Sequence, residues 1–346
     1  MTVFDSAAFD QHEQVVFASD PATGLRAIIA IHDTRRGPAL GGCRYWHYPD
    51  EAAALTDVLR LSRGMTYKAA MADLPLGGGK SVLLADPNRP KTPELMQALG
   101  RAVDRLCGRY VVAEDVGTSP ADMEQVRTQT RHVAGLAGLS GDPSPATAYG
   151  VWRGIHAAVN HRLRRNTLDG LCVAVQGLGH VGYHLCRHLH AEGARLIVAD
   201  IRAESVERAA DEFGATPVSC DAIYGAEADV FAPCALGAVI NDATLPRLAV
   251  SVVAGSANNQ LAEDRHGAML AERGILYAPD YVINAGGVIN VHYERTEGGY
   301  DRAAAYRHVG RIEETLADLF ARAAREGVPP HLAADRMARE RLGMSA

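Results

Sequence analysis

The stretch from Leu171 to Asp200 constrains this chain more than any other. LCVAVQ, residues 171–176, is an unbroken apolar run of the kind carried by a strand buried on both faces, and it leads straight into Gly177-Leu178-Gly179-His180-Val181-Gly182. A helical pattern fills 183–192, and a second apolar run, Arg195 to Ala199, ends in Asp200. Alone, G-x-G-x-x-G says little. Between a strand and a helix, with an acid closing the next strand, it is the βαβ unit that cradles a dinucleotide. Residues 177–182 bring backbone N–H groups to a helix N-terminus, where a pyrophosphate is stabilised. Asp200 can accept hydrogen bonds from ribose hydroxyls and would repel a 2′-phosphate, so NAD is expected over NADP. Arg202, two residues on, softens that preference.

The same helix carries His180, His184 and His188 at four-residue intervals, a spacing that also suits a metal. The zincin pattern needs a Glu beside the first His, and none is there. Surface imidazoles and no metal are expected.

A fingerprint that begins near residue 171 leaves half of a 346-residue chain before it, enough for two domains. At 47% hydrophobic and 22% charged the composition is that of a soluble globular protein, and a net charge of −6 without basic runs excludes a nucleic-acid binder. MTVFDSAAFDQHEQ is not a secretory signal, and no apolar run reaches membrane-spanning length. The six cysteines are scattered without a C-x-x-C pair, so free thiols in a cytoplasmic enzyme are expected.

The first half has its own marked stretch, MTYKAAMADLPLGGGKS, with Lys68 and Lys80 around a triple glycine. Gly77-Gly78-Gly79 leaves no side chain to hold a ligand away and permits unusual φ values. A nearby Lys68 together with burial would favour the neutral amine of Lys80, a base rather than a surface charge. A phosphate-binding loop would need glycine where Leu74 stands, and SVLLA after Lys80 reads as a strand, not a helix.

Around these stretches, runs 12–19 and 25–32 form a hairpin, and Gly37 to Gly42 reads as a loop that either holds a carboxylate or only turns a corner. A helix capped by Asp50 over 51–65 delivers Lys68, and another begins at Thr92-Pro93. A strand over 110–113 ends at Glu114-Asp115, before a capping box at Ser119-Pro120-Ala121-Asp122. Residues 135–145 have hinge composition, and a helix follows over 147–163. Strands at 228–232 and 250–254 end in loops holding Cys234, Ala235 and Asn258; Asn258 either bonds a ligand or caps a turn. Gly286-Gly287 permits close approach, and helical patterns over 301–325 and 330–342 close the chain.

GPALGGCR, RGMTYKAA, LPLGGGKS, AEDVGTS, TAYGV, VQGLGHVGYHL, APCALGA, AGSANNQL and APDYVINAGGVINV, in this order over nearly the whole chain, resemble the glutamate, leucine, phenylalanine and valine dehydrogenase family, nearest to its leucine-oxidising branch. The resemblance implies an α/β protein of two domains, an N-terminal α/β substrate and oligomerisation domain (1–134, rejoined by a last helix at 328–346) and a Rossmann-type NAD-binding domain (135–327). It implies NAD-dependent, reversible oxidative deamination of an L-amino acid. By that resemblance Lys80 and Asp115 are catalytic. Lys68, Gly41 and Asn258 hold the substrate carboxylate, Leu40, Ala113, Ala134, Val288 and Val291 line the side-chain pocket, and Met65 is a further substrate-binding residue. Arg44, Thr147, residues 177–182, Asp200, Ile201, Cys234, Ala235, Asn258 and Asn284 hold the cofactor. A pocket without charge argues against glutamate, and its valines favour leucine, isoleucine and valine over phenylalanine, the alternative. A homo-oligomer, dimer or octamer, is expected, with closure around the substrate during turnover. Retention of Lys68, Lys80 and Asp115 together speaks against an inactive NAD-binding sensor.

Overall fold

The computed structural model describes residues 3–136, 141–296 and 298–344; of the expected hinge, residues 137–140 lie outside the described residues. Strand β1 (Gln14–Asp20) and β2 (Leu25–Asp33) pair antiparallel from Gln14↔Ile31 to Asp20↔Leu25, turned by Gly24 at φ +77°. β3 (Ala39–Trp46), helix α1 (Glu51–Met71), β4 (Gly77–Leu84), α2 (Pro93–Asp104), β5 (Tyr110–Glu114) and α3 (Pro120–Arg127) follow. The strands form one sheet in the order β1-β2-β4-β3-β5, antiparallel at β2/β4 and parallel at β4/β3 and β3/β5.

The helices start where their caps say. Asp50 accepts from Ala53 N, Thr92 from Leu95 N, and Ser119 and Asp122 form the reciprocal capping box. Alternation along the strands sorts two cores: Ile28, Ala30 and Val82 pack with Leu55, Val58 and Leu59 of α1, while Ile29, Ile31 and Tyr110 pack with Met96, Leu99 and Val103 of α2. The expected loop at 37–42 is overturned for residues 39–42, which are the start of β3. Gly41 and Gly42 are there because a Cβ would lie 1.7 Å from Gly79 O and 2.5 Å from Glu114 O, not because the chain turns.

In the second half α4 (Ser144–Leu163), β6 (Cys172–Gln176), α5 (His180–Ala191), β7 (Arg195–Ala199), α6 (Ala203–Phe213), β8 (Thr216–Pro217), β9 (Val230–Pro233), β10 (Val252–Val253), α7 (Arg265–Glu272) and β11 (Leu276–Tyr277) build a parallel sheet. Its order is β8-β7-β6-β9-β10-β11, the 3-2-1-4-5-6 arrangement of a dinucleotide-binding fold, with the order reversing between β6 and β9. Ala174, Phe231, Val253, Leu270 and Tyr277 lie in its core. Short helices α8 (Asp280–Ile283) and α9 (Gly286–Tyr293) precede α10 (Arg302–Gly310), α11 (Ile312–Glu326) and α12 (Pro330–Arg341). The pattern read as one helix over 301–325 is two, parted after Gly310, a residue that disfavours a helix interior.

The chain divides into two packed units, 1–142 with 291–302 and 341–345, and 143–290 with 303–340. The last helix therefore differs from the expected return: only its end joins the first unit. Its body is held in the second, where Tyr281 donates to Asp335 at 2.7 Å and the His331 ring fills the space above Gly267. No helix among the described residues is long and apolar enough to cross a membrane, and all six cysteines are unpaired.

Candidate active site

In the first unit the triple glycine serves approach rather than unusual backbone, since none of the three has a positive φ. A Cβ on Gly78 would lie 2.0 Å from Thr66 N of α1, and one on Gly79 would lie 2.7 Å from the Tyr110 ring. Alternation turns Lys80 to the same face as Gly78. There Lys80 is 6% exposed, and its Nζ is 2.5 Å from Asp115 Oδ2. The charge in contact with Lys80 is thus a carboxylate. A lysine in the middle of a strand also rules out a phosphate-binding loop.

Asp115 is placed by the turn after β5. Its N–H donates to Thr118 Oγ1, which donates on to Cys43 O, and Gly42 admits it because a Cβ there would meet Asp115 Cβ at 2.7 Å. Arg44 Nε stands 3.4 Å from the same Asp115 oxygen, while its Nη1 donates to Asp57. Burial pushes the Asp115 carboxyl up, but the Lys80 and Arg44 charges and a hydrogen bond from Lys80 outweigh it and hold the carboxyl below the usual range. The neighbouring Glu114 carboxyl is raised by burial and by the acids Asp142, Glu294 and Asp115.

Several expected substrate residues gather on the same unit. Met65 and Lys68, three apart on α1, share a helix face, and a Cβ on Gly41 would lie 3.4 Å from Met65 Cγ. Gly41 must be glycine, since that Cβ would also lie 1.7 Å from Gly79 O. Leu40 is buried on β3, Ala113 is half-buried opposite Gly42, Ala134 donates to Val112 O, and Val291 is buried. Tyr110, which the sequence shows only as the start of a strand, donates to Gly41 O at 2.8 Å and meets Ser81 Oγ at 3.0 Å.

The second unit holds the fingerprint, and its glycines divide three tasks. Gly177 turns at φ +94° against Ala235, and Gly182 lets α5 approach, as a Cβ there would lie 1.9 Å from Gly177 O. A Cβ on Gly179 would meet nothing nearer than an Arg202 nitrogen at 4.0 Å, which leaves the cradle open to a ligand. No side chain caps α5 at its N-cap Gly179. These features fit a pyrophosphate. Asp200, at the end of β7, accepts from Leu178 N at 2.6 Å and Arg202 N at 2.8 Å, and Ile201 beside it is 91% exposed.

Cys234 and Ala235 follow β9 at the point where the strand order reverses; Cys234 N donates to Gln176 O. Asn284 Nδ2 donates to Asn258 Oδ1 at 2.8 Å and to Ser256 O at 3.0 Å, while its buried Oδ1 has no partner among the described residues. Such an orphaned acceptor fits an amide donor. Thr147, near the start of α4, lies against Gly287, whose Cβ would be 2.8 Å from Thr147 Oγ1, and Val288 is half-buried next to it. Gly286 and Gly287 therefore serve helix-to-helix approach.

Of the histidines of α5, His180 is exposed as expected, while His184 and His188 are half-buried. His188 stacks on Trp152 with ring centroids 5.4 Å apart, and burial lowers its basicity. Among the described residues, ligand atoms of Asp242, Glu263 and His266 come within 4.8 Å of one another, but Arg265 pairs with both carboxylates. Asp57 and Tyr48, which touch the Lys80 cluster through Arg44, carried no signal in the sequence beyond an acid on a helix and an aromatic before it.

Comparison with known proteins agrees with this geometry. Residues 12–132 match the family described as Glu/Leu/Phe/Val dehydrogenase, dimerisation domain, and residues 197–342 match Glutamate/Leucine/Phenylalanine/Valine dehydrogenase. The chain is 55% identical to a leucine dehydrogenase of Thermoactinomyces intermedius over 99% of its length and 94% of that protein. It is 46% identical to a phenylalanine dehydrogenase of Caldalkalibacillus thermarum over 97% of this chain and 94% of that protein. The crystal structure of L-tryptophan dehydrogenase from Nostoc punctiforme superposes with a TM-score of 0.85 at 48% identity, covering 96% of each chain. With both halves matched and the two-unit α/β architecture in place, the chain belongs to the Glu/Leu/Phe/Val family of amino-acid dehydrogenases.

Proposed function

We propose that this protein is an NAD-dependent dehydrogenase of leucine and other branched-chain aliphatic L-amino acids, converting amino acid, NAD+ and water reversibly to 2-oxo acid, ammonium and NADH. The observation that carries the reading is the buried contact of Lys80 with Asp115. An ion pair withdrawn from water gains little stability over an apolar substitute, so its presence is better explained by proton chemistry than by folding.

We assign substrate handling to the first unit and cofactor handling to the second. Lys68, with Gly41, holds the α-carboxylate. Asp115, in contact with Lys80, takes a proton from its ammonium; the neutral amine then takes the proton of the water that attacks the imino carbon, and Asp115 passes protons onward. NAD+, when bound, supplies the hydride acceptor. Residues 177–182 hold its pyrophosphate, Asp200 and Ile201 the adenosine side, and Thr147, Asn258 and Asn284 the nicotinamide amide, with Cys234 and Ala235 beside the crevice. Asp200 disfavours NADP through repulsion of a 2′-phosphate.

Leu40, Met65, Ala113, Ala134, Val288 and Val291 offer no charge for a γ-carboxylate, and the 55% identity to a leucine dehydrogenase supports a branched aliphatic substrate. A methylene in an apolar pocket discriminates by only ~1–3 kcal/mol, so overlap among substrates is expected. The match to a dimerisation domain supports a homo-oligomer, and the unpaired cysteines support a cytoplasmic setting. The test follows NADH absorbance at alkaline pH with NAD+ and, separately, leucine, valine, isoleucine, phenylalanine, tryptophan and glutamate. Fastest turnover on leucine or its branched relatives is expected. An aromatic preference would overturn the pocket argument and keep the mechanism, and no NADH from any of them would overturn the reading itself.

A further inference from the structure

The Arg44 guanidinium is shared between two carboxylates through different nitrogens. Nε lies 3.4 Å from Asp115 Oδ2, and Nη1 donates to Asp57 Oδ2 at 2.9 Å. The Tyr48 hydroxyl donates to that same Asp57 oxygen at 2.6 Å. These groups come from consecutive pieces of chain: Arg44 from β3, Tyr48 from the link after it, Asp57 from the first half of α1. All are withdrawn from solvent, with the Arg44 and Asp57 side chains 20% and 27% exposed and Tyr48 half-buried. A planar guanidinium anchored at one nitrogen has little freedom to turn at another. Asp57 therefore decides where Nε points.

We propose that Asp57 and Tyr48 are positioning residues for the deamination, clamping Arg44 against Asp115 and through it biasing the proton balance of the Lys80–Asp115 pair. The inference rests on the assignment of that pair to acid–base chemistry. Around Asp115 the facing groups are Lys80 on β4, Arg44 on β3 and Glu114 on β5; Asp57 and Tyr48 reach it through Arg44. Cys43 and Tyr110 stay neutral there, since burial pushes the thiol up to about 12 and the phenol well above its ordinary value. Burial alone would make the Arg44 guanidinium easier to deprotonate, and the Asp115 and Asp57 carboxylates outweigh it, so the cation is secure. Burial, then the Asp57 hydrogen bond and charge, likewise keep Tyr48 a donor. Two titrating groups in contact lose their protons as a pair, and a fixed cation beside them moves both steps to lower pH.

The experiment is a double-mutant cycle read as a pH profile of kcat/KM for deamination. In Asp57→Asn the freed guanidinium takes its charge away from the pair, and the limb reporting proton loss from the pair moves up by about half a pH unit or more, with KM for NAD+ unchanged. Tyr48→Phe moves it less in the same direction, and Asp57→Glu restores it. In an Arg44→Gln background Asp57→Asn produces no further upward shift, because nothing is left to clamp. An unmoved limb, a shift that persists without Arg44, or an effect confined to KM for NAD+ would overturn the proposal. A crystal structure of Asp57→Asn decides it without turnover: Arg44 should leave Asp115, and an Arg44 still in place overturns the clamp. A wild-type protein inactive on every amino acid would instead count against the assigned function.

Discussion

At the scale of single residues, Asp115 joins burial, charge and chemistry in one side chain. Its carboxyl is held below the usual range by Lys80 and Arg44 against the opposing pull of burial, so it is ionised wherever the enzyme works. Asp115→Asn keeps the shape and removes the charge. We expect kcat to fall by roughly 10²–10⁴-fold, the size of a general acid–base contribution, with KM changing far less. The same substitution leaves Lys80 buried without its counter-charge and should cost about 3 kcal/mol of stability in denaturant titration. A variant with near-normal kcat would remove Asp115 from the proton path. Asp115 was legible as an acid in a loop after a strand; its partners were not, because Lys80 and Arg44 lie on separate strands that only the sheet brings together.

At the scale of elements, α1 is seated on the sheet over two buried histidines. His32 on β2 bonds Thr66 Oγ1 at 2.8 Å, and its ring stands edge-on to His12 at 4.8 Å between centroids; His12 bonds Leu59 O and Ser62 Oγ. Burial first, then the neighbouring His12, lowers His32 to about 4 from its ordinary 6.5, although Asp10 and Asp33 pull the other way and Arg63 adds to the lowering. The folded value lies below the unfolded one, so the unfolded chain takes the proton first and stability drains away as pH falls from 6.5 to about 4. The loss should reach roughly 3 kcal/mol across that window. His32→Gln keeps a hydrogen bond to Thr66 without a titrating ring, and denaturant midpoints measured against pH should flatten accordingly; an unchanged acid limb would clear His32 of the effect. Caps and turns made α1, α2 and α3 readable in advance. Residues 39–42, the start of β3, were misread as a loop, because glycines needed for close contact look, in sequence, like glycines needed for a turn.

At the scale of the whole molecule, the Lys80 cluster and the fingerprint belong to different units, each with its own core. Lys80→Ala should therefore abolish deamination while NAD+ binding, measured by calorimetry, stays within about threefold of the parent, since a difference that small is under ~1 kcal/mol. Joint loss of binding and turnover would place Lys80 in the cofactor's support rather than in proton transfer. The sequence by itself determined the dinucleotide-binding half, because strand, G-x-G-x-x-G, helix and closing acid are neighbours in the chain and their spacing is their geometry. It also determined the family, through blocks spread over nearly the whole length. Only the tertiary structure decided that the triple glycine presses β4 against α1, that Lys80 meets Asp115, and that Arg44 is gripped by Asp57, which Tyr48 also bonds. Each of these is a contact between residues far apart in the chain, set by sheet register and side-chain packing, and local pattern carries no record of either.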